Sequence, residues 1–305
     1  MDTAPVACAA APVPRAAWLQ LAAAVGLFGL TWPVMKIGLM AGSPVWLAAG
    51  RATMSAFTAF VLLALLGRLK LPPREDWPVI LSVGTLQLSS FFALANLGVQ
   101  SVPPGRSGVL AYTTMLWMVP LSLLVGEKVG WRALTGGALG VVGIVVLADP
   151  GRFDWHDHTI VMGHIYLLLA GFTWALAIMH TRRHRWRATP LDVLPWQMSV
   201  ATVLLCLLGL LAEPAGHLDF DKWQLWAALL YIGAFAGPAG TWAAVSVGRA
   251  LPPMTSSLGM LGVPLVGIVS SVILVGERIT LPLVLGTALV IAGIAVVILE
   301  RAKGE

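Results

Sequence analysis

The chain holds 305 residues, of which 58% are apolar and only 11% charged, at a mean hydropathy of +0.86. Soluble domains carry roughly 25% charged residues, so this composition excludes a typical globular enzyme, a secreted disulfide scaffold and a disordered chain. In so apolar a chain the net charge of +5 points to basic residues on cytoplasmic loops and not to nucleic acid.

Residues 1–15 read as a disordered N-terminal tail. Pro5, Pro12 and Pro14 interrupt it, and no Lys or Arg precedes Arg15 to form the n-region of a secretory signal. Apolar stretches of spanning length follow at 16–39, 44–66, 77–100, 104–126, 130–148, 160–180, 190–212, 222–247, 253–275 and 281–300. Gly42-Ser43-Pro44, Leu71-Pro72-Pro73, Asp149-Pro150-Gly151, Thr189-Pro190 and Glu213-Pro214-Ala215-Gly216 punctuate them as turns. No stretch alternates as a barrel strand would, so the expected class is an all-α integral membrane protein with ten transmembrane helices. Cys8 in the tail and Cys206 within a span suggest neither a disulfide nor a metal cluster.

Ten crossings place both termini on one side. Cytoplasmic termini put Arg15, Arg68, Lys70, Arg74, Lys128, Arg132, Arg182, Arg183, Arg185, Arg187, Arg249, Arg301 and Lys303 inside, 13 of the 19 basic residues. Lys36, Arg51, Arg106, Arg152, Lys222 and Arg278 fall on the other side, with the acidic turn residues Asp154, Asp157, Asp219 and Asp221. The expected location is a bacterial inner membrane, with the lipid bilayer as a partner.

Offset by 150 positions, Leu124-Val125-Gly126-Glu127-Lys128 aligns with Leu274-Val275-Gly276-Glu277-Arg278, and the stretch Leu124 to Val146 gives ten identities in 23 positions. Gly29-Leu30-Thr31-Trp32 echoes Gly171-Phe172-Thr173-Trp174, and Val102-Pro103-Pro104 echoes Leu251-Pro252-Pro253. The chain therefore divides into a first five-helix repeat at 16–148, an outer loop at 149–159, a second repeat at 160–300 and a cytoplasmic tail at 301–305. An odd number of helices per repeat inverts the second relative to the first, the arrangement that lets one half rock against the other around a central site.

The paired Gly-Glu-(Lys/Arg) motifs ending spans four and nine, the Gly-rich spans five and ten, the Pro-initiated span four, and Pro44 followed by Arg51 carry a resemblance. They are similar to the two-repeat EamA-type members of the drug/metabolite transporter superfamily, over essentially the whole chain. The resemblance implies a ten-helix inverted-repeat exporter with cytoplasmic termini, most like the bacterial exporters of aromatic and other neutral amino acids. The position equivalent to Arg51 in the second half holds Gln197, so a role of that arginine is not duplicated.

Lys36, Arg51 and Arg106 lie within or at the edges of spans, where a charge is expensive. They either attract a substrate carboxylate or snorkel to headgroups. The neutral polar residues Gln87, Ser89, Ser90, Asn96, Ser107, Tyr112, Thr113 and Thr114, with Thr255, Ser256 and Ser257, either line a cavity or bind neighbouring helices. Of the 13 tryptophans, Trp18, Trp77, Trp131, Trp155, Trp186, Trp223 and Trp226 suit membrane interfaces. Trp32, Trp117, Trp174 and Trp242 lie deeper, as aromatic walls or as packing; Trp32 and Trp174, beside Thr31 and Thr173, are repeat equivalents. The substrate-binding candidates are thus Thr31, Trp32, Arg51, Gln87, Ser90, Asn96, Tyr112, Thr113, Trp174, Gln197, Trp242 and Ser256.

Pro33, Pro195, Pro264 and the Gly237-Pro238-Ala239-Gly240 run permit bends, as hinges or as mere kinks without motion; Pro33, Gly237, Pro238, Gly240 and Pro264 are the hinge candidates. Gly136, Gly140, Gly143, Gly286 and Gly293 make close-packed surfaces that suit a scaffold or a homodimer contact. Glu127 and Glu277 read as salt-bridged span terminators, and no carboxylate lies near the middle of any span. His164 and His180 sit at opposite ends of span six, where an interfacial structural role stands ahead of titration.

There is no phosphate loop, no His-Glu-x2-His and no Gly-x-Ser-x-Gly. His180 with His184, and Asp219 with Asp221, have metal-like spacing but lie in polar connections without further ligands. No metal or cofactor is expected. The reading is a secondary transporter exporting small amphipathic metabolites, chiefly neutral or aromatic amino acids, by alternating access. A channel or a lipid or drug permease is the alternative, and a membrane-embedded enzyme a poorer one.

Overall fold

The computed structural model describes residues 15–127, 129–149, 155–251 and 253–304. Ten helices among them are long and apolar enough to cross a membrane: α1 (Arg15–Gly38), α2 (Pro44–Leu65), α3 (Arg74–Ser101), α4 (Pro104–Leu124), α5 (Trp131–Ala148), α6 (His158–Arg183), α7 (Pro190–Ala212), α8 (Trp223–Ala250), α9 (Thr255–Val275) and α10 (Leu281–Leu299). Leu65, Leu124 and Leu211 are more than four-fifths exposed, an outward apolar surface that only lipid covers at low cost. The expected tail, apart from Arg15 at the head of α1, lies outside the described residues, as do Lys128, Arg152, Asp154 and Pro252. The last helix runs on to Gly304, so the segment expected as a tail at 301–305 begins as helix; Arg301, Ala302 and Lys303 are good helix formers.

Local chemistry explains most helix ends. Pro44, Pro104 and Pro190 each sit in the first turn, where a missing N–H costs nothing. Asp157 caps α6 by accepting the N–H of Thr159 and Ile160, and Thr189 caps α7 while donating to Asp192 at 2.7 Å. Gly126 and Gly276, at φ of 76° and 69°, turn the chain after α4 and α9 in the left-handed region that glycine adopts freely. They belong to the repeated Leu-Val-Gly-Glu motif.

Four spans are not uniform α-helix. α3 and α8 each carry an eight-residue π segment, Val83–Ser90 and Leu229–Ala236, at matching places in the two halves. In a π register the carbonyl of Gly233 looks to the N–H of residue 238, and Pro238 has none. Ser55 of α2 donates to that carbonyl instead, at 2.6 Å. α4 breaks into Pro104–Ala111 and Thr114–Leu124 around Tyr112 and Thr113. α9 likewise divides into Pro253–Gly259 and Gly262–Val275, with Pro264 just beyond the break.

The packing between the halves comes in matched pairs. α2 packs on α7 and α5 on α10; α1 meets α8 and α9, as α6 meets α3 and α4. The α5–α10 seam uses the small residues singled out in the sequence: a Cβ on Gly136 would stand 2.7 Å from the Gly293 carbonyl, and one on Gly143 2.7 Å from the Val290 nitrogen. That surface is occupied inside one chain. At the face opposite the termini the α1–α2 and α7–α8 loops pair, through Ser43 N–H to His217 O at 2.9 Å and Asp219 N–H to Ala41 O at 2.8 Å. At the terminal face the fully buried Asp76, heading α3, accepts from His184 Nε2 at 2.9 Å and from the N–H of Arg187 and Ala188.

Candidate functional site

The repeat-related tryptophans converge on one ring, Phe91. Trp174 of α6 stands edge-on to Phe91 of α3, with ring centroids 4.7 Å apart, and Trp32 of α1 reaches the same ring at 6.4 Å. Trp32 is held in place by small neighbours, since a Cβ on Gly108 of α4 would lie 3.2 Å from its ring and one on Gly267 of α9 3.5 Å. Phe91 follows the π segment of α3 and joins residues from both halves; sequence reasoning passed over it because a phenylalanine in an apolar span carries no signal of its own.

The next residue, Phe92, receives Arg51. The guanidinium carbon stands 3.7 Å from the Phe92 ring centroid, and Arg51 is 8% exposed. Its Nε and Nη1 are buried with no hydrogen-bond partner, and no ion pair involves it among the described residues. At 1.5 Å per residue, Arg51 lies about 10 Å from the start of α2, and Phe92 about 13 Å from the end of α3. The side chain therefore turns inward and does not snorkel. A cation–π contact returns about 2 kcal/mol when desolvated, less than the several kcal/mol that burying an ion costs, so the contact alone leaves this charge under-compensated.

The other two intramembrane cations are differently placed. Lys36 donates to the carbonyls of Val99 and Gln100, both at 2.8 Å, and so neutralises the C-terminal end of α3. Arg106 lines a pocket of about 410 Å³ at the face opposite the termini, with Lys36, Ser101, Glu277, Arg278 and Thr280. Glu277 accepts the N–H of Gly105 at 2.7 Å and of Arg106 at 3.3 Å, so a carboxylate from the second half caps α4 of the first. Burial raises its pKa from the ordinary carboxylate value, against the pull of those N–H groups and of the Arg106 and Lys36 charges. Glu127, its repeat counterpart, is exposed and bonded to Arg183 at 3.2 Å; a hydrogen bond from Ser122, and then Arg183, hold its pKa down. The sequence reading as a salt-bridged terminator fits Glu127, while Glu277 is a helix cap.

The polar candidates separate by what they bind. Thr31 and Thr113 donate to carbonyls of their own helices, Leu27 and Leu110, and Ser90 donates to Thr85 O across the π segment. Asn96 is buried and donates to Pro44 O at 3.0 Å, tethering α3 to the start of α2. Tyr112 occupies the break in α4, Gln87 the π segment of α3, and Gln197 is buried on α7. Trp242 is half-exposed and makes no ring contact with the Phe91 group, and Ser256 lies in the first segment of α9. Among the hinge candidates, Pro33 sits within an unbroken α1. Gly237 and Gly240 pack closely on Ser55 and Phe28, where the π segment of α8 ends. Tyr231 in that segment donates to Leu27 O at 3.0 Å, linking α8 to α1. Among the described residues no group of three metal-ligating side chains gathers.

Residues 15–148 and 161–299 match the EamA-like transporter family. The chain belongs to that family. It is 29% identical, over 92% of its length and 90% of the relative's, to the uncharacterized transporter YvbV of Bacillus subtilis. It is 27% identical to a probable amino-acid metabolite efflux pump of Salmonella typhimurium, over 88% of this chain and 90% of that one. Against a probable terminal-alkyne amino-acid exporter of Streptantibioticus cattleyicolor it is 26% identical, over 93% of each. A crystal structure 22% identical in sequence shares the fold at a TM-score of 0.65, covering 93% of this chain and 98% of that one. As an EamA-like protein the chain is a multi-pass membrane transporter and not an enzyme.

Proposed function

We propose that this EamA-like transporter exports small amphipathic solutes, chiefly neutral and aromatic amino acids, by alternating access between two inverted five-helix halves, with both termini in the cytoplasm. The relatives named for amino-acid efflux support the solute class, and the basic residues around the terminal face support the orientation.

The observation that carries the mechanism is a difference between the two faces. Opposite the termini, the first segment of α4 packs against the second segment of α9 and Glu277 caps it. At the terminal face the repeat counterpart would join the first segment of α9 to the second of α4. Among the described residues no comparable packing appears there; the first segment of α9 lies against α1, α8 and α10. We read this as an inward-facing arrangement, with Glu277 latching the outer face, while Glu127 bonds to Arg183 and, among the described residues, shows no contact with α9. In the outward-facing state the roles exchange, Glu127 capping the first turn of α9.

Counterflow of labelled phenylalanine, tryptophan and leucine in liposomes containing the purified protein tests the reading. Saturable exchange supports a carrier for this class. Flux without counterflow indicates a channel, and flux of other solutes with none of amino acids rejects the solute class.

A further inference from the structure

Arg51 presents a chemical problem that its surroundings leave open. The Phe92 ring covers one face of the guanidinium, but stacking engages the face of the cation and not its N–H donors, which lie in its plane. Nε and Nη1 are buried without acceptors. Neither other cation is in this position, since Lys36 is bonded to the end of α3 and Arg106 lies beside Glu277. The site is also where the two helices with π segments, α3 and α8, converge on α2. Phe92 follows the π segment of α3, and a Cβ on Gly233, within the π segment of α8, would stand 3.3 Å from the Arg51 Cα. π segments are frequent at functional sites, where they displace backbone from the regular register.

We propose that Arg51 holds the carboxylate of the transported solute, its donors pairing with carboxylate oxygens, while the ring or alkyl group lies towards Phe91, Trp174 and Trp32. This rests on the amino-acid reading above and sharpens it: substrates carry a carboxylate beside an apolar group, and the corresponding decarboxylated amines are excluded. An arginine fits because its planar donors match a carboxylate bidentately, which a lysine does not. The single copy also fits, because Gln197 at the repeat-equivalent position can hydrogen-bond a solute but cannot neutralise it.

The test is phenylalanine counterflow in liposomes, competed by phenethylamine, which lacks the carboxylate, and by 3-phenylpropionate, which keeps it. Wild type is expected to be inhibited by 3-phenylpropionate and not by phenethylamine. Arg51→Gln should raise the phenylalanine KM about ten- to a hundredfold and abolish the preference between the two competitors, with Arg51→Lys intermediate. Equal inhibition of wild type by both competitors overturns the proposal without any variant. So does a folded Arg51→Gln or Arg51→Lys protein with wild-type KM and competitor preference. If wild type moves no amino acid, the amino-acid reading falls and the carboxylate role falls with it. If wild type moves phenylalanine and the variants do so equally well, only the role of Arg51 falls.

Discussion

The carboxylate of Glu277 accepts the backbone N–H of Gly105 at 2.7 Å. The contact joins the end of α9 in the second half to the start of α4 in the first, and places an acceptor-only group on the positive end of a helix. A hydrogen bond to a charged group is worth about 1.5 to 3 kcal/mol. Removing it in Glu277→Ala should therefore raise the labelling of a Ser101→Cys reporter in the neighbouring pocket by about tenfold, read with a membrane-impermeant thiol reagent on an otherwise cysteine-free background. Glu277→Gln keeps an acceptor and should label far less than Glu277→Ala.

The same latch responds to pH, and the sign follows from burial. The closed face raises the Glu277 pKa above its ordinary value, whereas the opened face returns the carboxyl to water. The closed form thus binds the proton more tightly, so lowering pH through the raised value favours closure and raising pH favours opening. Labelling of the Ser101→Cys reporter should rise with pH in the parent and stay level in Glu277→Gln.

Ser55 and Pro238 form a compensated pair. Ser55→Ala leaves the Gly233 carbonyl, which Pro238 cannot serve, without its donor, a loss of about 1 kcal/mol. Pro238→Ala supplies an N–H in the π register. The double variant should therefore melt above Ser55→Ala alone, a non-additivity that thermal unfolding in detergent detects.

Asp76 anchors the α6–α7 connection to the head of α3 by accepting from His184, Arg187 and Ala188. Asp76→Ala leaves two backbone donors without their acceptor and should destabilise the protein by about 3 kcal/mol. Asp76→Asn retains one acceptor oxygen and should fall between the two in melting temperature.

Gly293 faces the α5 backbone so closely that a Cβ would stand 2.6 Å from the Gly140 nitrogen. Gly293→Val should cost about 1 to 3 kcal/mol by overpacking without changing the KM for phenylalanine, separating scaffold from solute site in one measurement of stability and transport.

Trp32 and Trp174 were legible as a pair because they recur in the same local motif, but that both reach Phe91 was not. Phe91, which brings them together, was not, because aromatic residues in an apolar span look alike until the facing helices are known. Glu277 was visible as a repeated motif but misread, since a carboxylate beside a basic neighbour in sequence resembles a salt bridge. Its partners are backbone N–H groups more than 170 residues away. Asp76 drew no attention because it begins a span and its three donors all arrive from the α6–α7 connection.

By itself the sequence determined the solvent and the ten crossings, because hydropathy over about 20 residues is a local property set by bilayer thickness. Only the tertiary structure decided which polar groups are engaged and which are left over. Lys36, Arg51 and Arg106 are alike as charges in apolar stretches, yet one caps a helix end, one stands beside a carboxylate and one lies buried without an acceptor. In a medium without water each polar group needs a protein partner, and those partners come from helices remote in the chain.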